Sequence, residues 1–278
     1  ALLEKTLEDG ASEKGRLHAL WALEGLGQLN SSILVRLLDD NSIPIKNAAL
    51  RILEQESKNS DELKNALALK LEQMSQTPNQ KEALQIALSS EALDAPFAIQ
   101  TLKPILANHG EEPLIRDAVM SSLEGKEFEL MQALWNEPDW SEPSMEREIF
   151  MENLASAVVK NGDADELEAT LALINSSNQE FGWREKSVLM AMSIQAADPA
   201  YVGSIQLASS PELFSRSDLP LDDKKTGTLK SLFVWPGHEP ELLASSSGIL
   251  DEGARKQFAD GRQKYLPSCA GCRGSGGR

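Results

Sequence analysis

Two cysteines, Cys269 and Cys272, stand three positions apart near the end of this 278-residue chain, and it has no others. A C-x-x-C pair has four common uses: part of a zinc site, a redox dithiol, a disulfide or inert thiol pair, and thioether attachment of a porphyrin. Each chemistry except the inert pair needs additional partners. A structural zinc site needs four ligands, yet His18, His109 and His238, the only histidines, are scattered along the chain. A thioredoxin-like dithiol needs a preceding strand and a helix N-terminus that stabilises the thiolate. Here a helical pattern precedes the pair and "GSGGR" follows it. The inert pair stays open. Porphyrin attachment uses both thiols and then a histidine at the next position, whose neutral imidazole binds iron. Position 273 is Arg, a cation with no lone pair to offer a metal.

The surroundings narrow the choice. Leu250, Ala254, Phe258, Gly261 and Tyr265 recur at spacings of 4, 4, 3 and 4 and predict a helix over about 250–265. The chain then turns through Pro267 into "SCAGCRG". The order Gly261, Tyr265, Cys269, Cys272, Gly274 resembles the opening of a class I cytochrome c domain, whose pattern is G-x-x-x-Y/F-x-x-x-C-x-x-C-H-G. The resemblance implies that Phe258, Gly261 and Tyr265 pack the first helix. It implies that Cys269 and Cys272 link haem c covalently, and that Arg273 stands where the proximal His ligand is lost. The distal Met of that family is expected beyond Arg278, so residues 249–278 read as a truncated cytochrome c start.

Most of the chain must then serve as the support for this segment. Aromatics are 5% of the residues, and Leu, Ala, Glu and Ser dominate. That mixture favours helix, and a stack of thin layers rather than one aromatic-rich globule. Basic residues lead apolar-periodic segments at Arg16, Lys46, Lys81, Arg116, Arg147 and Arg184, at intervals of 30, 35, 35, 31 and 37. A two-helix repeat needs about 30–47 residues. The turns "DDNSIPIK" and "NHGEEPLIR" place acids ahead of a proline and a base. This order resembles HEAT repeats, in which acid and base form a ladder between units. The third unit has no acid just before Lys81, and the long loop "NEPDWSEPS" interrupts the fifth interval.

The expectation for residues 1–210 is an all-α, HEAT-like α-solenoid of antiparallel helix pairs in a right-handed arc. Each base should start the second helix of its pair. Trp21, Leu50, Ile86, Val119, Phe150 and Leu189 should be buried between units. Residues 211–248, rich in Pro, Ser and Gly, read as a linker in which "LFVWPG" docks on the last repeat through Phe233 and Trp235. The chain opens on Ala1 in helical pattern without Met, as expected of the interior of a longer protein.

A formal net charge of −16 repels phosphate and makes nucleic acid an unsuitable partner. No run approaches 18 apolar residues, so no membrane span is expected. No nucleophile–base set or phosphate-cradling loop is visible, so no catalytic site is expected in this chain. Repeats, a "WPG" linker and a cytochrome c start together resemble the haem-binding C-x-x-C-H proteins of planctomycete and verrucomicrobial type. That resemblance implies electron transfer through haem c, with the solenoid as spacer. It also implies a periplasmic or extracytoplasmic setting, and a redox partner protein or a fused dehydrogenase domain. The alternative is a protein-interaction scaffold with a vestigial C-x-x-C tail that binds no haem.

Overall fold

The computed structural model describes residues 2–9, 12–176, 180–198 and 205–238. Among them the fold is all-α apart from one pair of two-residue strands. The helices are α1 (Leu2–Asp9), α2 (Glu13–Gly25), α3 (Ser31–Leu37), α4 (Ile43–Ser57), α5 (Asp61–Ser75) and α6 (Gln80–Ser89). They continue with α7 (Ala95–His109), α8 (Pro113–Ser122), α9 (Glu127–Trp135), α10 (Met145–Asn161), α11 (Ala164–Asn175) and α12 (Trp183–Ala196). After these come β1 (Ile205–Gln206), α13 (Asp223–Lys230) and β2 (Phe233–Val234).

Local chemistry sets the helix starts. Ser12, Ser42, Ser60, Asn79, Ser144 and Asp163 sit at N-caps, and each side chain accepts a hydrogen bond from a first-turn backbone N–H. Such caps satisfy donors that have no intrahelical partner. At Asn79 the arrangement is reciprocal, because Glu82 accepts from the Asn79 backbone N–H. Gly162 closes α10 at φ +71°, where a side chain would be strained.

The helices touch in two series. The even-numbered ones meet in order, α2 with α4, α4 with α6, α6 with α8, α8 with α10 and α10 with α12. The odd-numbered ones meet as α3 with α5, α5 with α7, α7 with α9 and α9 with α11. All six leading bases lie in the first turn of an even-numbered helix.

The caps, not the bases, set the register. Arg16, Lys46 and Arg116 lie four residues after their N-caps, but Arg147 lies three after and Lys81 and Arg184 two after. Counting seven residues from each cap gives Ala19, Ala49, Ile86, Val119, Met151 and Leu189, all buried. Leu50 and Phe150 are buried as expected, and Trp21 is not: it is 40% exposed. Trp21 lies nine residues after its cap, a place where Arg51, Leu88, Ser121 and Asn153 are also exposed, while Ala191 of α12 is buried. Two more residues of helix rotate the side chain by about 200°, off the core face.

The segment beyond α12 folds onto it. Helix α13 packs on α12 and buries Leu229, its one large apolar residue. A single apolar residue leaves no periodicity to read. Strands β1 and β2 pair in parallel, Ile205 beside Phe233.

Candidate functional site

Cys269, Cys272 and Arg273 lie outside the described residues, as do Phe258, Gly261 and Tyr265. The described part that leads toward them is the strand β2 and the turn Trp235-Pro236-Gly237-His238. The turn closes through two backbone bonds, His238 N–H to the Trp235 carbonyl at 2.8 Å and Trp235 N–H to the His238 carbonyl at 3.3 Å. Proline presets φ at the second position of such a turn, and Gly237, at φ +88°, supplies the left-handed third.

Aromatic packing holds this turn to the helices. Phe233 is fully buried, with its ring centroid 5.9 Å from that of Phe214. Trp235 stacks on Phe214 at 5.8 Å, and the His238 ring lies 3.9 Å from Trp235. Main-chain bonds of 2.8 Å from Ile205 N–H to Leu232 O and from Leu207 N–H to Val234 O complete the clasp. Phe214 comes from a short 3-10 turn, Glu212–Ser215, in a stretch whose composition reads as linker.

The leading bases other than Lys81 are bonded in two ways. Arg16 pairs with Asp40 in the turn before α4, and also donates from Nε to the Leu7 carbonyl at 2.8 Å. Lys46 pairs with Glu82 in the first turn of α6, the next even-numbered helix. The acid absent before Lys81 is thus supplied from within α6, where it also closes the capping box. Later bases bond main-chain carbonyls instead. Arg116 donates to Gly110 O at 2.7 Å and Glu111 O at 2.9 Å, Arg147 to Glu142 O at 2.8 Å, and Arg184 to Trp140 O.

These partners set the ionisation of the acids. Burial opposes the Asp40 carboxylate. The hydrogen bond from Arg16, the Ser42 N–H and the charges of Arg16 and Lys46 together outweigh it and hold the carboxyl below its usual range. Glu82 follows the same balance, with burial overcome by Lys46 and Asn79. Burial pushes Glu54 and Glu166 up, and Glu129, Asp163 and Glu127 add repulsion at Glu166.

The three histidines do not converge. His18 is exposed, His109 Nε2 lies 2.9 Å from the Pro78 carbonyl, and His238 stacks on Trp235. Among the described residues no three His, Cys, Asp or Glu side chains are placed to hold a metal ion. No described helix is long and apolar enough to cross a membrane. The loop over 136–144 is anchored by Trp140, which is 3% exposed and lies 5.9 Å from Phe150 with Arg147 over its ring. Its sequence signal was the paired prolines with one large aromatic between them. Comparison of the sequence with models of known protein families, and with curated proteins, finds no match.

Proposed function

We propose that this chain is the HEAT-like α-solenoid and haem-attachment segment of a c-type cytochrome, in which the helical repeats space a haem c module from its redox partner. The observation that carries the reading is the ordered set Gly261, Tyr265, Cys269, Cys272 and Gly274, following a helical repeat array. The two serial rows of helix contacts are those expected of stacked helix pairs. The aromatic clasp at Phe214, Phe233 and Trp235 fits a rigid exit from such a stack. A haem c setting carries with it an extracytoplasmic location and a redox protein, or a fused dehydrogenase domain, as partner.

The donor set fits only half of the group. Cys269 and Cys272 are suited to two thioether links, but Arg273 offers iron no lone pair. No electron-transfer step follows from this chain's own residues. The same Arg273 favours a second reading, an interaction scaffold with a vestigial tail. The two part on one experiment. Arg273→His, produced with cytochrome c maturation factors, should carry covalent haem by intact mass, and Cys269→Ser with Cys272→Ser should abolish it. An Arg273→His chain without covalent haem refutes the attachment reading and leaves the scaffold.

A further inference from the structure

The loop over 136–144 builds something that a spacer does not require. It lies beside α7, where two adjoining hollows of about 240 and 410 Å³ share Ala107 and Asn108 as lining. Together they form one groove between the C-terminal turns of α5 and α7, the loop and the start of α10. Apolar parts of Pro104, Leu106, Ala107 and Trp140 line it.

We propose that this groove docks an extended, lysine-bearing segment of a partner protein. Charge selects the occupant. Glu111, Asp139 and Glu146 line the groove, and no ion pair to another side chain is found for them among the described residues. Glu137 and Glu72 are already engaged, by Lys103 and Gln100. Arg147, the other base of the groove, is turned to the Glu142 carbonyl and the face of Trp140. Two helix C-termini end here, Gln76 at α5 and Ala107–Asn108 in the last turn of α7. Their carbonyl ends favour cations, while the N-terminal turn of α10 at Ser144–Arg147 on the same groove opposes them, so the carboxylates carry the selection. Pro104 has no N–H, so the Gln100 carbonyl also lacks its ordinary helical donor.

The spacing of the acids argues against a single ion. No three of them converge to hold a metal, so several separated cationic heads suit them better. The apolar lining accommodates the aliphatic stems of lysine while the ammonium groups reach the carboxylates. The net charge of −16 steers a basic partner inward and repels nucleic acid.

The test uses the 278-residue chain and a fluorescein-labelled decapeptide of alternating Lys and Ala, followed by anisotropy at matched low salt. The chain should bind it saturably. The triple variant Glu111→Gln/Asp139→Asn/Glu146→Gln should weaken binding at least tenfold. Glu24→Gln/Glu56→Gln/Glu168→Gln removes equal charge from exposed acids elsewhere and should change it less than twofold. Ala107→Trp, at an exposed helical position shared by both hollows, fills the groove without altering charge and should also weaken binding at least tenfold. Equal loss in the two triple variants, unchanged binding in Ala107→Trp, or no binding by the original chain overturns the proposal.

Discussion

Replacing Leu50 by Ala tests whether α4 is held as the cap-anchored register requires. Leu50 is fully buried, eight residues after its N-cap Ser42, in a helix that touches α2, α3, α5 and α6. The change removes three carbons, a transfer loss of about 2.4 kcal/mol at about 0.8 per buried carbon. The hollow left among four helices adds to this, so the expected loss is about 2–5 kcal/mol. Leu69→Ala is the matched control. Leu69 lies in the neighbouring α5 but is 64% exposed, and alanine favours helix slightly more than leucine. Its loss should stay within about 0.5 kcal/mol. Urea unfolding followed by far-UV circular dichroism measures both, with the slope checked for constancy. A Leu50→Ala loss below about 0.5 kcal/mol, or equal losses at the two sites, refutes the register.

Glu82→Gln should cost about 1–3 kcal/mol near neutral pH in the same urea assay, because it leaves the mostly buried Lys46 ammonium without its carboxylate; a neutral effect would show the rung to be idle. Asp40 and Glu82 have folded-state pKa values below their ordinary ones, so their stabilisation is full above about pH 4–4.5 and is lost as pH falls through the folded values. Glu54 and Glu166 are raised and act in the opposite sense, with stability lost as pH rises through their folded values. Urea midpoints from about pH 3 to 7 should therefore show a loss below about pH 4 that is smaller in Glu82→Gln; an equal acid loss in both proteins contradicts the assignment. Gly237→Ala forces a side chain into φ +88° and should cost about 1 kcal/mol or more. It should also change Trp235 fluorescence as the His238 stack loosens, and an unaltered spectrum would mean that the turn does not position His238.

The helices and their order were legible because cap residues and apolar periodicity recur together, as in "NSIPIKNAALRIL". The register was less so. The bases slide by up to two positions relative to the caps, and that slip placed Trp21 inside when the structure puts it outside. Glu82 is not legible as the partner of Lys46, because the repeat pattern has its acid before the helix and Glu82 lies inside the first turn of α6. Helix α13 and the Phe214–Phe233–Trp235 clasp carry no period. They arise from contacts between residues that are distant in sequence, which composition cannot rank. The cysteine segment is legible only as a local pattern, and its chemistry turns on the single residue Arg273.

The central claim is tested most directly by the visible absorption spectrum of the chain with Arg273 intact beside that of Arg273→His, both produced with cytochrome c maturation factors and read as reduced pyridine complexes and as isolated proteins. The account predicts no bound haem with Arg273 and covalent haem in Arg273→His. Covalent haem in the chain with Arg273 intact, or none in Arg273→His, would contradict it.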